Sequence, residues 1–154
     1  LACALPRKAS DMLCSICDRN MMDEVVPDDR SDIGFIAPSS MAMLNFGMTS
    51  QYFVEDWAGL KLPDQALTLM PLNDNVEEKA GGSHWALLAY FRPSNVFRLY
   101  DSMGNTLGAQ GRKAASVLSD AFEAKDADFE IDADTPRQAN PYDCGAYACV
   151  LATE

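Results

Sequence analysis

The sequence predicts an α+β fold, and three stretches carry that expectation. The apolar run Trp85-Ala86-Leu87-Leu88-Ala89-Tyr90-Phe91 has the length and composition of a buried strand. The run Val96-Phe97-Arg98-Leu99-Tyr100, rich in aromatic and β-favouring residues, reads as a second strand. Between about residues 111 and 124, Ala115, Leu118, Ala121 and Phe122 recur at helical spacing and form the inner face of an amphipathic helix.

Along the chain, residues 1–32 read as a poorly defined, mobile N-terminal segment, because Asp18 to Asp32 is acidic and carries Pro27 between valines and aspartates. Residues 33–154 read as one domain. Pro38-Ser39-Ser40 starts a helix that runs to about Phe46, and Thr49-Ser50 caps a second that runs to about Gly59. Strands are expected at about 66–71, 84–91 and 96–101, then the helix at about 111–124, then a strand from Asp128 to Ile131. Asp143 is a good N-cap residue. The mostly small or apolar segment that follows, Cys144-Gly145-Ala146-Tyr147-Ala148-Cys149-Val150-Leu151, reads as a buried helix with Cys144 in its first turn. No internal repeat is visible.

A length of 154 residues suits a single domain with a sizeable core, and 48% apolar residues is ordinary for a globular protein. The net charge of −11 argues against a nucleic-acid partner and suits a basic protein surface. Five cysteines, odd in number and unevenly placed, speak against a disulfide framework and for a reducing compartment. Cys14 and Cys17 form a lone Cys-x-x-Cys with only Cys3 nearby, too few ligands for zinc, so no metal and no cofactor is expected. Leu1-Ala2-Cys3-Ala4-Leu5 is too short for a signal-peptide core, and no stretch approaches the roughly 20 apolar residues of a membrane span. The reading is an intracellular chain, in cytoplasm or nucleus, monomeric and without a membrane partner. Its first residue is leucine, which reads as a partial or processed sequence.

The order of polar residues carries the chemistry. A thiol hydrolase needs a base, a group to orient it, an oxyanion donor and a nucleophile. The single histidine, His84, opens the buried run; Asp101 ends the second strand; Gln138 lies in the irregular run between Pro136 and Pro141; and Cys144 opens the last helix. Each has an ordinary alternative: a satisfied core histidine, a turn aspartate, a solvated glutamine, an inert buried thiol. Their conjunction favours the chemical reading. A thiol attacks as thiolate, and a place in a helix's first turn beside an imidazolium lowers its pKa. A carboxylate at Asp101 would fix the imidazole's tautomer, and the Gln138 amide with the backbone amide of Cys144 would offer two oxyanion donors.

These residues stand in motifs: Gly82-Ser83-His84-Trp85, Leu99-Tyr100-Asp101-Ser102 and Gln138-Ala139-Asn140-Pro141-Tyr142-Asp143-Cys144-Gly145. As a set they resemble the ubiquitin-like-protein proteases, the sentrin-specific cysteine peptidases, over roughly residues 33–154. Leu72-Asn73-Asp74-Asn75, followed by the paired glycines Gly81-Gly82, most resembles the deneddylase branch. The resemblance implies a papain-like cysteine protease fold, a central mixed sheet flanked by helices. It implies His84 as base, Asp101 as orienter, Gln138 as oxyanion donor and Cys144 as nucleophile. It also implies that Trp85 covers a narrow groove for a Gly-Gly tail, since glycines alone let a backbone pass under an aromatic lid, and that Asn73, Asp74 and Asn75 contact the modifier. No match to the family's upstream tryptophan motif precedes Ile33, and the chain ends about three helical turns past Cys144, so the domain is expected to be truncated at both ends. The expected function is cleavage after the C-terminal Gly-Gly of a ubiquitin-like modifier, the neddylation modifier foremost. The alternatives are a SUMO-directed protease, a modifier-binding pseudoprotease and an acetyl transferase using the same thiol.

Overall fold

The computed structural model describes residues 32–77 and 81–153. The expected mobile segment therefore lies outside the described residues except for Asp32, whose carbonyl accepts the amides of Ala66 (2.7 Å) and Leu67 (3.2 Å). The lone Cys-x-x-Cys lies outside them as well.

A five-stranded sheet organises the rest, in the order β1 (Ile33–Phe35), β2 (Leu67–Asn73), β3 (Trp85–Phe91), β4 (Val96–Tyr100) and β5 (Asp128–Ile131). The outer pairs, β1 with β2 and β4 with β5, are parallel; the inner pairs are antiparallel. The expected mixed sheet is thus present. Its helices are α1 (Pro38–Asn45), α2 (Ser50–Asp56), α3 (Gly108–Leu118) and α4 (Cys144–Leu151).

Side chains alternate across a strand, and the alternation of β3 assigns the layers. Ala86, Leu88 and Tyr90 join the larger core, with Met41 and Leu44 of α1, Phe53 of α2 and Leu118 of α3. Leu87 and Ala89 face the other way, onto Ala148 of α4 and Leu69 of β2. A strand covered on both faces has no solvent side to leave polar, which is why its sequence is apolar throughout. Leu88, fully buried, would cost about 2–5 kcal/mol if cut to alanine.

The structure moves several expected boundaries. The strand expected to stop at Pro71 runs on to Asn73. β1 pairs only as far as Leu69, so the missing proline N–H deprives no neighbour on that side. β1 itself has no counterpart among the expected elements: three residues with a central glycine leave no periodicity to read. The helix expected over 111–124 begins at Gly108 and ends at Leu118. Phe122 keeps its inward place from a turn beyond the helix, where Glu123 takes a positive φ of 52°, and packs with ring centroids 5.0 Å from Tyr90 and 5.7 Å from Phe97. Hydrophobic spacing alone does not tell such a turn from a further helical turn. The second helix closes at Asp56, and a 3-10 turn over Ala58–Leu60 takes up the remainder. Gly111 lets α3 lie close on the sheet, since a β-carbon there would sit 3.2 Å from both Leu99 and Phe129.

Because β3 and β4 are antiparallel, with Leu87 opposite Tyr100, the start of one lies beside the end of the other. That geometry sets His84 and Asp101 side by side at one end of the sheet. α4 approaches the same end from the opposite face.

Candidate active site

His84 directly precedes β3 and Asp101 directly follows β4, and both are buried, at 2% and 1% exposure. The imidazole Nε2 and Asp101 Oδ1 are 2.7 Å apart. Asp101 is itself held, its Oδ1 accepting the Met103 amide (2.9 Å) and its Oδ2 the Leu107 amide (3.0 Å) at the entry to α3. With a carboxylate on Nε2, the proton of a neutral ring resides there, and Nδ1 is left as the lone-pair nitrogen. Nδ1 is buried without a hydrogen-bond partner among the described residues.

Cys144, 2% exposed, is the first residue of α4, and its sulfur lies within the electrostatic reach of His84. Burial would raise the thiol's pKa, but the His84 imidazole and the backbone amides of Trp85 and Gly145 outweigh it, and the pKa is lowered. The Trp85 N–H is available because β4 ends at Tyr100, opposite Leu87, and leaves the first residue of β3 unpaired on that side. The His84 pKa responds in the opposite sense. Burial would lower it, yet the hydrogen bond to Asp101 and the adjacent Cys144 raise it to about 9. Asp101 falls to about 2, as the His84 contact and the two amides prevail over burial. The arrangement favours a thiolate–imidazolium pair braced by a carboxylate.

Asp143 does not cap α4 as expected. Its φ of −90° and ψ of 1° differ from the extended conformation in which a cap side chain reaches the N2 and N3 amides. Its carboxylate instead accepts Asn140 Nδ2 at 2.6 Å, while Asn140 Oδ1 accepts the amides of Tyr142 and Asp143, both at 3.0 Å. Asn140 thus shapes the turn that delivers Cys144.

Gln138 is fixed at both ends of its amide. Its Oε1 accepts the Ser102 hydroxyl at 2.6 Å and its Nε2 donates to the Asn140 carbonyl, also at 2.6 Å. Its backbone amide donates to the Ser102 carbonyl at 3.0 Å. One Nε2 hydrogen is therefore committed to Asn140, which leaves the other as the available donor. Ser102 and Asn140, absent from the sequence-based candidates, decide which end of the amide is the donor. For Ser102 the signal was its place directly after Asp101.

Trp85 is partly buried and lines a cleft of about 220 Å³ with Pro38, Met41, Asn45, Asn73 and Asn75. Asn45 Nδ2 ties α1 to the end of β2 and the loop after it by donating to the carbonyls of Asn73 (3.0 Å) and Asn75 (2.7 Å). Asp74 points elsewhere, its carboxylate on Ser83 and His84. Among the described residues, no group of three or more histidine, cysteine or acidic side chains is placed to hold a metal ion, and no helix is long and apolar enough to cross a membrane.

Residues 53–153 match the model of the Ulp1 protease family, C-terminal catalytic domain. NEDD8-specific protease 1 of Arabidopsis thaliana is 33% identical over 123 residues, covering 79% of this chain and 54% of that protein. Human sentrin-specific protease 8 is 31% identical over 122 residues, 77% of this chain and 57% of that protein. The chain therefore spans about half the length of these curated relatives. Among solved structures, the C-terminal Ulp1 protease domain in complex with Smt3, the yeast ortholog of SUMO, has a TM-score of 0.62 at 18% identity, covering 97% of this chain and 83% of that one. The Xanthomonas campestris effector XopD bound to ubiquitin has a TM-score of 0.65 at 16% identity, covering 99% of this chain and 79% of that one. At such identities these two establish the fold alone. With two thirds of its length under the family model and a relative of 33% identity behind it, this chain belongs to the Ulp1 protease family of cysteine peptidases.

Proposed function

We propose that the chain is a thiol isopeptidase and endopeptidase that cleaves after the C-terminal Gly-Gly of a ubiquitin-like modifier, with the neddylation modifier as its preferred substrate. The observation that carries this reading is the buried 2.7 Å contact between His84 and Asp101 beside a Cys144 whose pKa is lowered. In the reaction, His84 Nδ1 takes the thiol proton, and Asp101 holds the resulting imidazolium through Nε2. The Cys144 thiolate attacks the carbonyl carbon of the terminal glycine. The oxyanion that forms is met by the free Nε2 hydrogen of Gln138 and the Cys144 amide, donors worth about 2.7–4 kcal/mol each in such sites. His84 then gives its proton to the leaving amine, a thioester forms on Cys144, and a water activated by His84 hydrolyses it.

Trp85, with Asn73 and Asn75 along the same cleft, is the proposed contact for the modifier's tail. The preference for the neddylation modifier is supported by the Asn73-Asp74-Asn75 loop and by the relative named as a NEDD8-specific protease. The test is labelling of the chain with electrophilic C-terminal probes built on ubiquitin, SUMO and the neddylation modifier. Fastest labelling by the neddylation probe, on Cys144, is expected. Faster labelling by the SUMO probe would overturn the preference and leave the thiol chemistry standing, whereas binding without labelling would mark a pseudoprotease.

A further inference from the structure

The Asn73-Asp74-Asn75 loop does something that contact with a modifier does not require. Asp74 turns its carboxylate inward, where Oδ1 accepts the backbone amides of Ser83 (2.6 Å) and His84 (3.0 Å) and Oδ2 accepts the Ser83 hydroxyl (2.6 Å). The backbone amide of Asp74 in turn donates to the His84 carbonyl at 3.2 Å, and Asn73 Nδ2 donates to that same carbonyl at 2.9 Å. Both polar backbone groups of His84 are thus held by the last residue of β2, Asn73, and by Asp74 directly after it. Gly82 makes the approach possible: its φ is +90°, and a β-carbon there would collide with the Asn73 side chain. Asn45 anchors the far side of the loop to α1.

We propose that Asp74 is a positioning residue for the catalytic base, gripping Ser83 and the His84 backbone so that the imidazole stands between Cys144 and Asp101. The inference rests on the reading of His84 as base given above. His84 lies outside β3, so the strand alone does not fix it. A carboxylate collecting three donors from the two residues 83 and 84 supplies the missing restraint, because charge-assisted hydrogen bonds are short and directional. The low pKa of Asp74 agrees: burial would raise it, and the Ser83 hydroxyl and the two amides pull it below the usual value. A displacement of about 1 Å in a catalytic group is enough to lose roughly 10²-fold in rate.

The experiment compares the full chain with Asp74→Ala, Asp74→Asn and Ser83→Ala, using a fluorogenic amide of the neddylation modifier. Because the chain has one histidine, its imidazole signals in a proton–nitrogen NMR spectrum report His84 directly. Asp74→Ala is expected to lower kcat by roughly 10²-fold with KM within about threefold, and to shift or broaden the His84 ring resonances. Asp74→Asn, which keeps one oxygen for the two amides, should return kcat to within about fivefold of the parent. Ser83→Ala, losing only the Oδ2 contact, should fall between them and carries the comparison if Asp74→Ala does not fold. A rise in KM at unchanged kcat would make Asp74 a substrate contact and overturn the proposal, as would ring resonances identical to the parent's in all three variants. A parent chain inert toward every modifier would sink the proposed function instead, while the ring resonances would still report whether Asp74 holds His84.

Discussion

The two described cysteines of α4 are the same residue type on the same helix, and their surroundings give them opposite chemistry. Cys144 opens the helix beside His84, and its pKa is lowered despite burial. Cys149 sits about 140° around the helix from it, at roughly 100° per residue, and burial alone pushes its pKa up to about 11. Desolvation acts on both. Only at the helix N-terminus do an imidazole and free backbone amides reverse its effect. In the proposed reaction the nucleophile is made by what the two strand ends and the helix start bring together, and a thiol in the same helix without those neighbours is expected to serve as packing.

The contrast breaks most completely at its centre. Cys144→Ala should abolish turnover and probe labelling while leaving modifier affinity largely intact, and His84→Ala should lose about as much, since members of such a unit are not additive. Loss of labelling in Cys149→Ala to the same degree would invert the assignment. Asp101→Asn should follow, with kcat down by about 10³-fold or more, because an amide at Oδ1 no longer dictates the proton-on-Nε2 tautomer. If steady-state kinetics place Asp101→Asn within about tenfold of the parent, Asp101 is a turn former only. Gln138→Ala should lower kcat by roughly 10²- to 10³-fold with a smaller change in KM. A change confined to KM would make Gln138 a binding residue.

Acid and base should separate the partners more gently. His84 has its pKa raised from 6.5 to about 9 in the fold, so its contribution to stability is complete below about pH 6.5 and is lost as pH rises through about 9. Asp101 is lowered from 3.8 to about 2, so its contribution is present above about 3.8 and is lost as pH falls through about 2. In urea titrations, the stability gap between the parent and Asp101→Asn should therefore narrow steadily between pH 6.5 and 9. A gap that stays constant over that range would show that the His84–Asp101 ion pair does not stabilise the fold. The smallest effect belongs to Cys149→Ala, expected to leave kcat and KM within about twofold and to cost some stability through lost packing.

Much of this is legible in the sequence. The buried run of β3, the shorter β4 and the small, apolar α4 follow from composition and length, and the antiparallel pairing of two consecutive strands brings His84 beside Asp101. What the sequence could not yield was orientation. The Gln138 amide is held by Ser102 and Asn140, and the Asp74 carboxylate by Ser83 and His84. Such choices are made by loops closing on one another across 2 to 36 residues, where no periodicity operates. Asp143 illustrates the point: its residue type favours capping, yet the Asn140 turn before it fixes a backbone conformation that engages its carboxylate elsewhere. The short β1 was equally hidden, because three residues pairing in parallel with a strand more than thirty positions away leave no local signature.

Alkylation shows whether position beside His84, rather than residue type, makes Cys144 the nucleophile. Iodoacetamide labelling of the folded chain across pH 5 to 10, with each cysteine followed by peptide mass, yields the thiolate profile of Cys144 and Cys149 in one sample. Cys144 is expected to react below the pH at which an ordinary thiol ionises, to lose this advantage in His84→Ala, and Cys149 to stay unlabelled until the upper end of the range or beyond. A Cys144 profile like that of a free thiol, unchanged by His84→Ala, would contradict this.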